Sequence, residues 1–247
     1  MEEKTYHKNS EIYADPTVVE GVDYARRLHR HELFDDSLAG RVDVGKTTII
    51  GPHGGGIETG TSELCLAIAG YHPATLEVTP PGGVTYDYWM FEGLRGAGAG
   101  NDQLHVTSTG CDDGAAVSLC GGALNALALH GCTTEAAGQL PGTATVLVGG
   151  LNDQLKQLLL TAFCEQDLDA LDAIGHRDLD GSEEKNIVNR TLLCMGGQLE
   201  LTTPLRDSMF LENTRPRRKH TTTEVFWRFV TACRNALAQL EAGQVIL

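Results

Sequence analysis

The 247 residues carry 33 acidic against 19 basic side chains, a net charge of −14, with 41% apolar residues. That balance fits a folded chain with a sizeable core and argues against a broad nucleic-acid surface, which needs clustered Lys and Arg to neutralise phosphates. The 29 glycines exceed the roughly 17 of an average chain this long, follow no period and gather in loops, so loop-built sites are expected rather than a fibrous repeat.

Residues 1–35 read as a polar, partly helical lead-in. No apolar run follows Met1-Glu2-Glu3-Lys4, so neither a signal peptide nor a membrane span is expected. The 7 cysteines include no CxxC pair; Cys65, Cys120, Cys164 and Cys233 lie among apolar residues and read as buried thiols of a protein made in a reducing cytoplasm. Gly40-Arg41-Val42-Asp43-Val44-Gly45-Lys46-Thr47 matches the phosphate-loop pattern GxxxxGKS/T. That loop needs a helix beginning at its Lys-Thr to hold phosphates. Here Thr47-Thr48-Ile49-Ile50 is β-branched and meets Gly51-Pro52, so a short buried strand ending there is predicted. Nucleotide binding at Gly40–Thr47 is therefore only the competing reading from another functional class.

Gly54 to Gly56 turn the chain sharply before a helix predicted over 61–70. His53 and Glu58 stand on this loop at the carboxyl end of the strand, where open α/β sheets place ligands. An imidazole and a carboxylate so spaced can face one metal ion, but a catalytic zinc takes three protein ligands plus water, so a third must come from elsewhere.

Tyr86 to Glu92 reads as an aromatic strand, and the loop from Leu94 to Gly100 has Arg95 as its only charge. Gln103 to Ser108 alternates, which predicts a strand with His105 opposite Leu104 and Val106. A helix around Asp112 to Leu119 precedes Ala123 to Leu129, an apolar run expected to be a strand buried on both faces. His130-Gly131 then falls at a strand end, as His53 does. Thr143 to Val148 is a further buried strand and Leu151 to Phe163 an amphipathic helix. Asp167 to Glu184 reads as an acidic surface excursion; nothing in it assigns a role to His176 or Arg177. Gly196 to Thr202 alternates, placing Gln198, Glu200 and Thr202 on one face. Pro204 opens a helix that holds Arg206. Arg215-Pro216-Arg217-Arg218-Lys219-His220 reads as a solvated linker, and 221–242 as an amphipathic helix packed on the sheet. Alternating strands and helices give an α/β layered fold with a mostly parallel sheet, taken as a single domain over 1–247 with its core at about 40–210.

The ordered set His53-Gly54-Gly55-Gly56-Ile57-Glu58-Thr59-Gly60-Thr61-Ser62-Glu63, Leu104-His105-Val106-Thr107-Ser108, His130-Gly131, Asn186-Ile187-Val188-Asn189-Arg190 and Gln198-Leu199-Glu200-Leu201 resembles the poly-γ-glutamate hydrolases of bacteriophages and related bacterial proteins. The family resembles zinc carboxypeptidases, which implies a mixed sheet between helices and a zinc held by His, Glu and a later His. Carried over, the resemblance implies His53, Glu58 and His130 as zinc ligands, with His130 preferred to His105, and Glu200 as general base. It also implies an anionic γ-glutamyl substrate, with Arg190, Arg206 and His105 as candidates for holding the oxyanion or the substrate carboxylates, Arg190 first. Two alternatives stay open: a zinc amidohydrolase on another γ-glutamyl bond, such as that of a peptidoglycan stem peptide, and a metal-binding module without turnover. A chain of phage origin would reach its substrate on cell lysis.

Overall fold

The β-branched run Thr47 to Ile50 does form a buried strand, but the strand does not stop at Gly51-Pro52. It continues from Val44 to Gly55, with a register shift between Gly51 and Gly54. Proline is tolerated inside a strand at such a bulge. The computed structural model describes residues 6–31, 44–176 and 178–244; Gly40 to Asp43 of the phosphate-loop match, and Arg177, lie outside them. Within them, Lys46 and Thr47 are strand residues rather than a helix start. Lys46 Nζ donates to the carbonyl of Glu241 at 3.1 Å, and Thr47 Oγ1 to Glu241 Oε1 at 2.7 Å. The Lys-Thr pair thus anchors the C-terminal helix.

Among the described residues the strands are β1 (Tyr24–His29), β2 (Val44–Gly55), β3 (Thr85–Gly93), β4 (Asn125–Cys132), β5 (Val146–Gly149), β6 (Ala170–Asp172) and β7 (Gly197–Thr202). They form one mixed sheet in the order β1-β3-β2-β4-β7-β5-β6. The middle strands β3, β2, β4 and β7 are parallel; β1 and β5 run antiparallel to their inner neighbours. The helices are α1 (Asn9–Ala14), α2 (Thr61–Ile68), α3 (Gly114–Gly122), α4 (Asp153–Glu165), α5 (Thr203–Ser208), α6 (Arg215–Arg218) and α7 (Glu224–Ala242).

Strand alternation divides the core. Ile49, Leu127, Leu129, Val146, Val148, Leu199 and Leu201 face α2, α4 and α7 in one continuous apolar cluster. Ile50, Trp89, Phe91, Ala126 and Ala128 point the other way, towards Ile12, Leu119 and Ile187. The first face is apolar from β3 to β5. The second gives way to polar residues at the carboxyl ends of β4 and β7, and the site lies there.

Several sequence expectations differ from the structure. Gln103 to Ser108 is not a strand: a 3₁₀ turn covers Asn101–Leu104, and Leu104 and Val106 are buried by packing a loop onto the core. The alternation was real, but its cause was burial of a loop. Strand β1 falls within the expected partly helical lead-in, and β6 within the expected acidic excursion. The basic cluster at 215–220 is no solvated linker, because Arg218 is 2% exposed and donates to Glu63 Oε1 and the Gly55 carbonyl. Cys164 is exposed, whereas Cys65, Cys120 and Cys233 are buried, and all are free thiols.

Gly55 has φ +68°, and a Cβ there would lie 2.4 Å from the Gly93 carbonyl oxygen. Gly82 has a similar φ of +73° but open space around it. Gly55→Ala is therefore expected to cost about 2 kcal/mol or more, lowering Tm by roughly 4–8 °C. Gly82→Ala carries only the backbone strain, about 1 kcal/mol. Thermal unfolding of both variants checks the difference.

Candidate metal centre

Strands β2 and β4 are parallel neighbours, yet β2 leads through α2 to β3 on its other side. Connections that leave a parallel pair in opposite directions open a crevice at its carboxyl end. Regular pairing of β2 with β4 ends at Ile50↔Ala128, and β4 pairs β7 with His130 opposite Glu200. Ala128, His130 and Glu200 thus share a face with Ile50. Straight alternation from Ile50 would send His53 to the opposite face. The register shift between Gly51 and Gly54 removes that parity, and His53 meets His130 with Nδ1 atoms 3.0 Å apart. The bulge is held from behind: Gly55 N–H donates to Ser62 Oγ at 2.8 Å, at the start of α2.

Glu58 returns to the same point. Its N–H closes the loop on the His53 carbonyl at 2.8 Å, and Thr61 Oγ1 donates to its carbonyl at 2.8 Å. Its Oε1 is 2.8 Å from His53 Nδ1, and its Oε2 accepts from the Gly131 N–H at 2.8 Å. One ligand atom from each of His53, Glu58 and His130 lies within 4.8 Å of the others. The outer ring nitrogens are also engaged: His53 Nε2 at 2.7 Å from the Val106 carbonyl, and His130 Nε2 at 3.1 Å from Ser108 Oγ. A carbonyl can only accept, so His53 Nε2 carries a proton and its Nδ1 is the nitrogen turned to the cluster. Such outer contacts fix tautomer and ring orientation in metal-binding histidines. Tetrahedral zinc with nitrogen ligands at about 2.0–2.1 Å sets them roughly 3.3 Å apart, close to the spacing here. The donor set fits a divalent ion.

Electrostatics agree. Burial and the neighbouring His53 push the His130 imidazole down to about 3, so it stands neutral with a lone pair available. Glu58 is held far below the usual carboxylate range by His53, His105 and His130, against the opposing effect of burial. Burial lowers His53, but Glu58 outweighs it and leaves it raised. Glu58 thus favours positive charge on His53, at the place where a cation would sit. Glu200, 5% exposed, is raised well above the ordinary glutamate value by burial and by Glu58, while Gln198 Nε2 donates to its Oε1 at 3.0 Å and opposes that shift.

His53, Glu58, His105, His130 and Glu200 line one cavity of about 510 Å³. The ring of His105 lies 3.9 Å from that of His53, and its Nε2 3.5 Å from Glu58 Oε1. Part of the expected surface excursion forms the facing wall, with Asp178, Asp180 and Glu183. Two asparagines fasten that wall. Asn189 Nδ2 donates to the carbonyls of Gly181 at 2.8 Å and Glu183 at 3.0 Å. Asn186 Nδ2 donates to Gln198 Oε1 at 2.8 Å, which holds the amide that donates to Glu200. The two asparagines of the Asn-x-x-Asn-Arg segment were the sequence signal for this network.

The structure does not bring the two arginines into the cavity. Arg190 donates to the carbonyls of Lys185, Cys111 and Thr109, bracing the wall from outside. Arg206 is 7% exposed, and its five N–H groups meet five acceptors on Leu201, Thr59, Cys132 and Thr203. Its Cζ lies 2.6 Å from where a Cβ on Gly131 would be. It is a buried cation behind the Gly131–Glu58 contact, with no donor left for a ligand. Sequence alone could not tell an arginine facing a cavity from one facing backbone carbonyls.

A family model described as poly-gamma-glutamate hydrolase matches residues 37–232. The SPbeta prophage-derived protein YoqZ of Bacillus subtilis (strain 168) is 31% identical over 185 residues, 75% of this chain and 59% of that protein. YndL of the same organism is 30% identical over 190 residues, 74% of this chain and 66% of YndL. The chain thus spans about three-fifths to two-thirds of these relatives. A solved structure of a bacteriophage poly-gamma-glutamate hydrolase superposes with TM-score 0.77 at 26% identity, covering 98% of this chain and all of that one. A zinc-free YndL structure gives TM-score 0.73 at 24% identity and 96% coverage of this chain, a likeness of fold.

Glu58 raises the proton affinity of His53, so a bound cation competes with a proton there and metal affinity should fall as pH drops. Chelator-treated protein titrated with zinc is expected to gain more in Tm at pH 8 than at pH 6. The gain should vanish in His130→Ala and persist in His105→Ala. The reverse order of the two variants would make His105 the third ligand.

Proposed function

The chain belongs to the poly-γ-glutamate hydrolase family, and on that premise we propose that it is a zinc-dependent hydrolase of γ-glutamyl amide bonds, with poly-γ-glutamate as substrate. The observation that carries the reading is the buried His53–Glu58–His130 cluster sharing one cavity with Glu200 from the next strand. Zinc is chosen over harder ions because two of the three donors are imidazole nitrogens. YndL, a relative for which a zinc-free structure exists, supports the choice.

When bound, zinc would polarise the scissile carbonyl and acidify the attacking water. His53 and His130 would hold it through Nδ1, with Glu58 as the anionic ligand. Glu200 is the base: it takes the water proton and later delivers it to the leaving amine. Its raised affinity for protons suits that two-way role. Gln198 aims the Glu200 carboxylate through Oε1, leaving Oε2 for the water. His105, 42% exposed on its side chain beside His53, is the donor placed for the developing oxyanion. Arg190 and Arg206 act at one remove, Arg190 by holding the wall and Arg206 by backing Glu58.

A second reading has its own support. The described residues lining the cavity include three acidic wall residues and neither Lys nor Arg. That wall favours a group carrying an ammonium, as a diamino-acid stem peptide does beyond its γ-glutamyl bond.

Glu200→Gln keeps the shape and removes the proton acceptor. Turnover of poly-γ-glutamate is expected to fall by about 10²–10⁴ with zinc content and Tm unchanged. Turnover near wild type would remove Glu200 from the mechanism, and loss of zinc would make it a ligand. Product size on poly-γ-glutamate, compared with release from a γ-glutamyl-diaminopimelate peptide, separates the two substrates.

A further inference from the structure

A γ-linked polyglutamate carries one free α-carboxylate per residue, yet among the described residues no Lys or Arg lines the metal cavity. A second cavity of about 890 Å³ lies across the same loop: Ile57 and Thr59 line it, while Glu58 between them lines the first. Its walls come from segments remote in the chain. One is the loop after β3, from Arg95 to Gln103; the other is Asn213 and Thr214 leading into α6.

Three arginines line this cavity. Arg218 is buried on Glu63 Oε1 at 3.3 Å and the Gly55 carbonyl at 2.9 Å. Arg95 is held by Asp23 Oδ1 at 2.9 Å, the Gly100 carbonyl at 2.9 Å and Gln103 Oε1 at 3.0 Å. Arg215 is exposed, donates to the Leu94 carbonyl and forms no ion pair among the described residues. Asp102 is the one carboxylate among the described lining residues. Asn213 has its Nδ2 fixed on Asp207 Oδ1 at 2.5 Å, while its Oδ1 is buried without a partner. Opposite, Gly96 and Gly98 present open wall, with nothing within 4 Å of an added Cβ. A planar guanidinium fork matches a carboxylate bidentately. A γ-linked polyglutamate offers such a carboxylate in every residue.

We propose that this second cavity is a carboxylate-binding subsite for the same γ-glutamyl chain, with Arg215 as its unpaired fork. The substrate would cross the Ile57–Thr59 rim, with its scissile bond at the metal centre and its carboxylates recognised beyond the rim. Each γ-linked residue adds five backbone bonds, roughly 6 Å when extended, so only a chain of several residues engages both cavities. Chain-length preference is then set here, and not by Arg190 or Arg206. The inference rests on the γ-glutamyl hydrolase reading of the metal centre.

The test compares long poly-γ-glutamate with a γ-glutamyl dimer in wild type, Arg215→Ala and Arg217→Ala. Arg217 pairs with Glu212 on the surface and does not line the cavity, so it controls for loss of one positive charge. In Arg215→Ala, KM for the polymer should rise about tenfold with kcat kept, and the polymer-to-dimer ratio of kcat/KM should fall by the same factor. Arg215→Lys should recover only part of it. An unchanged ratio in Arg215→Ala, or an equal fall in Arg217→Ala, overturns the subsite while leaving the hydrolase reading standing. Should wild type cleave neither substrate, fluorescence anisotropy of labelled polymer decides alone. Binding that weakens about tenfold in Arg215→Ala then keeps the subsite without the hydrolase reading, and binding indifferent to Arg215 removes both.

Discussion

One contact ties the site to the sheet: the Glu58 carboxylate bridges His53 Nδ1 on β2 and the Gly131 N–H on β4. It sits at the end of a loop that doubles back over five residues, so the chain around it has almost no freedom. Gly54 lies against Ser62, Gly55 takes a positive φ beneath Gly93, and Gly131 lies flat on the Arg206 guanidinium. A side chain at any of these places would push a strand, a helix or a buried charge out of position. The glycines are thus the condition for bringing a carboxylate within reach of two imidazoles in a buried setting.

Burying such groups is unfavourable unless they are paired. His53, Glu58, His130, Glu200 and Arg206 lie together at the polar end of one sheet face, and each finds partners there. The opposite face bears the compensating burial, an unbroken apolar layer under α2, α4 and α7. One face is apolar along its length; the other is apolar around Ile50, Trp89 and Phe91 and gives way to the paired charged groups only at the carboxyl ends of β4 and β7.

The Ile57–Thr59 rim makes a second division. On one side lie the His53–Glu58–His130 cluster and Glu200; on the other, arginines drawn from the β3 loop and α6. Arg206, near the first side, has all its donors engaged on Leu201, Thr59, Cys132 and Thr203 and lines neither cavity. Arg95, Arg215 and Arg218 thus line only the cavity beyond the rim.

Local sequence determined a good deal. β-branched and apolar runs located β2, β3, β4 and β7, and the amphipathic stripes of α4 and α7 were legible, because burial on a regular element leaves a period. The His53–Glu58 loop and the place of His130 near a strand's carboxyl end were legible from strand direction. Glu200 was legible from the alternation that sets it on one face with Gln198 and Thr202. Tertiary structure decided the rest. The Gly51–Gly54 register shift that turns His53 towards His130 leaves no periodic trace. The 104–106 alternation looked like a strand because a buried loop and a strand edge impose the same pattern. The positions of Arg190, Arg206, Arg215 and Arg218 could not be read at all, since an arginine's long stem reaches backbone carbonyls, a buried glutamate or a cavity from the same sequence position, and only the packing around it selects which.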